Sequence, residues 1–347
     1  MTNQYFFFSI VQHAVEICWG RRLLMKQNTI MLLAALSLVM PSMTAVAADK
    51  SLQNANSNNK YAADQASASR IKHTISPRNT PTAQDALHDY DRDGVLQLGS
   101  SKALIINQET GETLYAKNTN TPTPIASVTK LMTAMVVLDA MLPLDERLTV
   151  TEADIDRLKG TGSRLRVGTT LPRAELLQLA LMASENRAAS ALGRHYPGGL
   201  RAFIRAMNEK AYELGMMNTR FVDPTGLNSG NVSTAEDLVK LVRAAYEYPE
   251  IRQESTAISQ EVTVGSNRNP TNFVNTNSLV RKGDWVIGLS KTGFISEAGR
   301  CLVMQAEIGG QPLIIVLLDS AGKLTRIGDA NRIRKWIENT YFNARMG

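Results

Sequence analysis

Apolar positions along this chain alternate between two spacings, the every-second-residue pattern of a strand and the three-to-four pattern of a helix face. Ala103 to Asn107 and Thr113 to Ala116 have strand character and flank Glu109-Thr110-Gly111, which predicts a hairpin. From Ser127 to Met141 the pattern becomes a long apolar helix, and further helices are predicted at about 172–183, 186–195, 199–214 and 234–246. Ser233-Thr234-Ala235-Glu236 has capping-box spacing ahead of the last of these, and Gly215 is a suitable stop for the one before. Strand character returns at Glu261–Val264, Trp285–Lys291, Arg300–Ile308 and Leu313–Asp319, with Gly309-Gly310 as the turn between the last two. An amphipathic helix from about Thr325 to Tyr341 follows. Strands at both ends with helices between predict an α+β domain whose sheet is completed by both ends of the chain.

The first part of the chain reads differently. Arg21, Arg22 and Lys26 make a basic start, Ile30 to Met40 an apolar run that Pro41 breaks, and Ala45-Val46-Ala47 a small-residue cleavage site. This layout predicts a cleaved secretory signal over residues 1–48, with Met25 as a second candidate start. The apolar run is shorter than the roughly 18 residues a bilayer-spanning helix needs, so no stable membrane span is expected. Residues 49–84 are rich in Asn, Ser, Ala, Gln and Thr and nearly free of apolar periodicity. We therefore expect a flexible linker over 49–95 and the folded domain over 96–347. Asp89-Tyr90-Asp91-Arg92-Asp93-Gly94 copies the start of a calcium loop, but the twelfth position is Ser100, where a bidentate Glu is needed. Calcium is not expected.

Composition narrows the chemistry by exclusion. With 44% hydrophobic and 20% charged residues in 347, the chain is an ordinary globular protein. Its formal charge of +6 falls to +4 without residues 1–48, which removes Arg21, Arg22, Lys26 and Glu16, and that mild basicity suits a polyanionic wall but is no nucleic-acid signature. Cys18 falls in the leader, which leaves Cys301 alone, so the mature protein cannot form an internal disulfide. Cys301-Leu302-Val303-Met304 is strand-like and makes that thiol a packed core group rather than a nucleophile. No CxxC or Cys/His cluster offers a zinc site, and no cofactor is expected. Of four histidines only His195 lies within the helical region, at a helix end, where a charge–dipole contact is the plainer role than the base of a Ser-His-Asp triad.

Three short motifs carry the remaining chemistry: Ser127-Val128-Thr129-Lys130 at the mouth of the apolar helix, Ser184-Glu185-Asn186 between two helical runs, and Lys291-Thr292-Gly293 on a strand. Singly, each has a bland explanation, as a helix cap, a chance triplet and a strand-turn. Together and in this order they form the motif set of penicillin-binding proteins and class A β-lactamases. The spacing has a physical reason. Ser127 and Lys130, three residues apart, share one helix face, and unpaired amides at the helix start can stabilise an oxyanion. Burial of Lys130 beside Lys291 is expected to lower its proton affinity and make it a competent base.

Beyond the motifs, Phe221-Val222-Asp223-Pro224-Thr225-Gly226-Leu227 and the segment Pro124 to Thr133 are similar to signatures of one family. From Ala103 to about Tyr341 the chain resembles the low-molecular-mass penicillin-binding proteins, the D-alanyl-D-alanine carboxypeptidases and endopeptidases. Leu181 to Gly199 and Lys291 to Met304 resemble the endopeptidase branch most. The resemblance implies a β-lactamase/transpeptidase-like fold, an antiparallel sheet flanked by helices with a helical subdomain carrying SxxK and SxN. It implies Ser127 as nucleophile, Lys130 as base and Ser184 as proton relay. Asn186, Lys291, Thr292, Gly293 and Phe294 are implied as substrate-binding, with backbone N–H groups of Ser127 and Phe294 as the oxyanion hole. Peptidoglycan peptide stems would be the substrate, β-lactams the inhibitors, and other cell-wall hydrolases or synthases the protein partners, in the periplasm. A carboxypeptidase trimming terminal D-Ala is the alternative. A β-lactamase is less expected, because the Glu-bearing loop that activates the deacylating water is missing, and a non-catalytic peptidoglycan-binding protein would not need all three motifs intact.

Overall fold

The computed structural model describes residues 96–265 and 270–346, so the predicted signal, linker and Asp89–Gly94 segment lie outside the described residues. The described chain opens with a hairpin, β1 (Ser100–Asn107) and β2 (Thr113–Lys117). Asn107 turns it by accepting from the Glu109 and Thr110 amides. A two-residue strand β3 (Thr123–Pro124) and a 3-10 turn over Ala126–Val128 lead directly into helix α1 (Thr129–Asp139). The short pair β4 (Arg147–Thr149) and β5 (Thr170–Pro172) precedes α2 (Arg173–Met182), α3 (Asn186–Arg194) and α4 (Gly199–Glu213). Then come β6 (Val232–Ser233), which pairs with β3, and the helices α5 (Ala235–Tyr246) and α6 (Pro249–Thr256). The pair β7 (Ser259–Val262) and β8 (Thr271–Val274) and the short helix α7 (Ser278–Lys282) follow. Three long strands, β9 (Val286–Ile295), β10 (Gly299–Ile308) and β11 (Gln311–Ser320), and helix α8 (Thr325–Met346) complete the fold.

The main sheet is antiparallel throughout, in the order β2-β1-β11-β10-β9. The early hairpin thus docks on the last strand, and both ends of the described chain build one sheet, as the sequence pattern predicts. Both faces of the sheet are covered. Leu104, Val303, Val316 and Leu318 face a core shared with α1, α2 and α5, while Ile105, Leu302, Met304 and Leu317 face Ala330, Ile333 and Ile337 of α8. Burial on two sides is why β10 and β11 read as continuous apolar runs rather than alternating ones. Gly309 and Gly310, at φ +62° and +78°, supply the paired left-handed geometry of a tight hairpin turn between them.

Helix α1 is buried from Thr129 through Val137, so it runs through the middle of the domain rather than along its surface. A lysine on its first turn therefore cannot reach water freely. That one consequence of the sequence places Lys130 inside.

The boundaries differ from expectation at a few points. The N-cap of α5 is Thr234, whose hydroxyl accepts from the Asp237 amide, and Ser233 instead pairs with Thr219. Two cap-competent residues stand side by side there, and Ser233 is held in β6 opposite Thr123, which leaves Thr234 to cap. β7 begins two residues before the predicted Glu261, and β9 continues through Lys291-Thr292-Gly293 to Ile295. Helix α6, entered through Pro249 at its first turn, was not predicted, because its Pro-Glu and Gln-Glu-Ser-Thr content carries little apolar periodicity.

Candidate active site

Ser127 sits in the 3-10 turn just ahead of α1. Close backbone approach fixes that turn from two sides. Ala126 adopts φ +47°, a left-handed conformation uncommon for a residue with a Cβ. Gly226, at φ +83°, lies so near that a Cβ there would fall 1.9 Å from the Ala126 carbonyl oxygen. From β9, a Cβ on Gly293 would fall 3.0 Å from both the Ile125 oxygen and the Ser127 nitrogen. The Gly of Lys-Thr-Gly is thus required by the contact between β9 and the serine turn.

Lys130, 1% exposed, has three neighbours at its Nζ. Ser127 Oγ lies 2.8 Å away, Asn186 Oδ1 2.8 Å and the Thr225 carbonyl oxygen 2.6 Å. A neutral amine has two N–H donors and one lone pair. Asn186 Oδ1 and Thr225 O can only accept, so they take both donors and leave the lone pair for the Ser127 hydroxyl. Burial lowers the Lys130 pKa to about 7, against the opposing charges of Asp223 and Glu185, which raise it. At neutral pH a large share of Lys130 is unprotonated and able to take the serine proton.

A second serine–lysine couple faces the first. Ser184 occupies the turn between α2 and α3 at φ +60°, and Lys291 Nζ reaches its Oγ at 2.8 Å and the Thr292 carbonyl at 3.1 Å. Lys291 is 1% exposed, and burial, then the charges of Lys130 and Arg326, push its pKa well below the ordinary lysine value. Asn186, at the first position of α3, uses its carbonyl oxygen on Lys130 and its Nδ2 on Thr161 Oγ1, at 3.1 Å. Thr292 Oγ1 donates to Thr276 Oγ1 at 2.6 Å. Phe294 is 54% exposed beside Gly293, with the Arg300 guanidinium 4.3 Å from its ring centroid. All eight residues singled out from the sequence therefore lie on elements that converge here.

Several contributors were missed. Asp223 gathers the amides of Thr225, Gly226 and Asn228 together with the Thr225 hydroxyl, and so aims the Thr225 carbonyl at Lys130. Buried Asn231 ties the same loop to α1 through Thr129 Oγ1, at 3.0 Å. The Asp-Pro-Thr-Gly sequence was the available signal, since Asp two residues before a Thr-Gly turn is an amide-gathering arrangement. Arg326, on the first turn of α8, brings Nη1 to 3.4 Å from the Gly293 carbonyl. Nothing in its local sequence marks it. Glu185, the middle residue of Ser-x-Asn, is 8% exposed and accepts from Ser163 Oγ at 2.5 Å. His195 ends α3 with Nδ1 2.9 Å from the Ala191 carbonyl, outside this site. Cys301 is buried and its thiol is pushed up to about 11, which fits a packed core group.

Sheet topology and paired buried lysines define the class: a serine DD-peptidase of the β-lactamase-like fold. The chain belongs to the D-alanyl-D-alanine carboxypeptidase family, peptidase S11, whose sequence profile matches residues 89–322. It is 50% identical over 242 residues to a D-alanyl-D-alanine endopeptidase of Pseudomonas aeruginosa, an overlap of 70% of this chain and 78% of the relative. The same identity and coverage hold for the D-alanyl-D-alanine endopeptidase of Escherichia coli K12. Among solved structures it resembles the Streptomyces K15 DD-transpeptidase, with TM-score 0.64, 32% identity, and coverage of 69% of this chain and 97% of that one. Among the described residues no helix is long and apolar enough to cross a membrane.

Proposed function

We propose that this chain is an exported serine DD-endopeptidase that hydrolyses D-alanyl–diaminopimelyl cross-links of peptidoglycan through an acyl-enzyme on Ser127. The observation that carries the reading is the matched valence at Lys130 Nζ, with two pure acceptors and one hydroxyl around a buried amine. Ser127 Oγ attacks the D-Ala carbonyl while Lys130 takes its proton. Backbone N–H groups of Ser127 and Phe294 meet the developing oxyanion. Ser184, held by Lys291, relays that proton from Lys130 to the departing amine, and the C–N bond breaks to leave an ester on Ser127. Water then attacks the ester while Lys130 takes its proton, and that proton returns to Ser127 Oγ as the acyl group leaves as a carboxylic acid. Asn186 positions the substrate backbone, Thr292 contacts the carboxylate beside the scissile bond, and Lys291 supplies positive potential. Gly293 lets β9 close on the serine turn, and Phe294 shapes the leaving-group side.

Substrate choice rests on the two relatives at 50% identity, both D-alanyl-D-alanine endopeptidases. A carboxypeptidase reading is the second, supported by membership of the D-alanyl-D-alanine carboxypeptidase family and by a Bacillus subtilis D-alanyl-D-alanine carboxypeptidase at 30% identity. β-Lactams, as mimics of D-Ala-D-Ala, would acylate Ser127. Export through a leader over 1–48 would place the enzyme in the periplasm, within reach of other cell-wall hydrolases or synthases.

Digestion of purified peptidoglycan separates these readings, with Ser127→Ala and penicillin-treated samples alongside. Conversion of cross-linked dimers to monomers by the intact, uninhibited enzyme is the expected result. Loss of D-Ala from pentapeptides with dimers unchanged would make it a carboxypeptidase.

A further inference from the structure

Two guanidinium groups stand at the end of β9, and neither has a carboxylate partner among the described residues. Arg326 touches the Gly293 carbonyl with Nη1, and its Nε is buried without a partner. Arg300 is the cross-strand neighbour of Phe294 and lays its guanidinium over that ring, 4.3 Å from the centroid. The ring itself is largely exposed, so the stack holds a cation at the surface instead of burying it.

Strand register places these groups on one side of the sheet. Thr292 pairs with Leu302 and Phe294 with Arg300, and residues two apart on a strand share a face. Leu302 packs toward α8, so Thr292, Phe294 and Arg300 line the α8 side, where Arg326 also lies. The Arg326 pKa is lowered by burial and next by the charge of Arg300, as expected of two close cations with no anion between them. An unneutralised pair of this kind is arranged for an anionic ligand.

The endopeptidase reading supplies a ligand with negative charge that a terminal D-alanine lacks. A terminal D-alanine leaves with one carboxylate, on the carbon that bears its amine. A cross-linked stem leaves with that carboxylate and with others, among them the one at the C-terminus of its own peptide. The first belongs beside Thr292, next to the scissile bond. We propose that Arg300, held on the Phe294 ring, is a specificity residue that binds the C-terminal carboxylate of the leaving stem and so favours cross-links over terminal D-alanine. This inference rests on the endopeptidase reading and adds to it the residue that reads the leaving strand.

The test compares the mature wild-type protein with Arg300→Gln on three substrates. These are a tetrapeptide–tetrapeptide dimer, the same dimer with the terminal carboxylate of its leaving stem amidated, and a pentapeptide. Amidation is expected to lower wild-type kcat/KM on the dimer by roughly ten- to hundred-fold, the worth of one charged hydrogen bond. In Arg300→Gln the amidation penalty disappears and the ratio of dimer cleavage to pentapeptide trimming falls, while Arg300→Lys restores part of both. Equal amidation penalties in the two proteins would overturn the assignment of Arg300 alone. So would wild-type enzyme that cleaves acid and amide equally fast, a result that needs no variant to fold. Wild-type enzyme inert on every dimer would overturn the endopeptidase reading and this inference with it.

Discussion

The carbonyl oxygen of Thr225 lies 2.6 Å from Lys130 Nζ, closer than Ser127 Oγ at 2.8 Å. A carbonyl cannot give a proton, so this contact, like that of Asn186 Oδ1, consumes a donor and orients the remaining valence toward the serine. The motif recognised from sequence, Ser-x-x-Lys, therefore depends on a loop almost a hundred residues further on.

The first prediction is the pH dependence of acylation. Lys130 must be neutral to act, and its pKa is about 7. Below that value the amine is protonated and idle; above it the base form dominates. Acylation by a labelled penicillin should rise roughly tenfold per pH unit on the acid limb and level off above about pH 8. A rate that is flat across this range would remove Lys130 from the role of base. Lys130→Ala should lose roughly a hundred- to ten-thousand-fold of the acylation rate, the usual worth of a positioned general base.

Asp223 should behave as a stability residue with an effect on activity. Its carboxylate accepts from three amides and one hydroxyl within its own loop. Asp223→Ala leaves those groups to water and is expected to cost about 2 kcal/mol in denaturant unfolding. It should also slow acylation, because the Thr225 carbonyl loses its aim. Asp223→Asn keeps one acceptor oxygen and should fall between. An alanine variant that unfolds earlier yet acylates at the wild-type rate would show that Thr225 needs no such support.

Gly226 and Gly215 form a matched comparison. Both have positive φ, +83° and +69°, but a Cβ on Gly215 meets nothing within 4 Å, whereas one on Gly226 meets the Ala126 carbonyl oxygen at 1.9 Å. Gly215→Ala should cost only the backbone term, about 1 kcal/mol. Gly226→Ala should cost several times that and displace the Ser127 turn, with acylation lost. Similar melting temperatures for the two variants would mean that the contact with Ala126 relaxes easily.

Much of this architecture was legible in the chain. The long apolar helix after Ser127 and the apolar strands after Lys291 are strongly periodic or continuous, and both were located within a few residues. The three motifs were legible because each sits where one of those elements begins, ends or reaches an edge. What escaped was set by contacts between distant segments. Arg326 earns its place only because α8 packs back over β9, and Thr161 and Ser163 matter only because their loop folds onto Asn186 and Glu185. Short pieces such as α6 and β8 owe their form to packing and carry no period of their own.

The loop between β4 and β5 gives a last prediction. Its foot is fixed on the Ser-x-Asn side by Ser163 on Glu185, Thr161 on Asn186 and Arg187 on the Leu165 carbonyl. Its tip is fixed on the opposite side by the ion pair of Lys159 with Glu297, in the turn that follows β9. Asp156 shapes the tip by accepting from the Leu158, Lys159 and Thr161 amides. Lys159 and Glu297 are both partly open to solvent, and exposed pairs contribute little to global stability, so Lys159→Ala should melt with the wild type. Its effect should instead be local, as faster amide hydrogen exchange over residues 157–160 with the foot, from Thr161 onward, still protected. Added salt should reproduce that change in the wild type and do nothing more to the variant. Lys159 holds the Glu297 carboxyl below its usual value of 4.5, so the pair persists above that pH and is lost as the pH falls through the lowered value. Exchange at the tip that ignores both salt and the substitution would mean that Asp156 alone shapes the tip and that the ion pair does not restrain it.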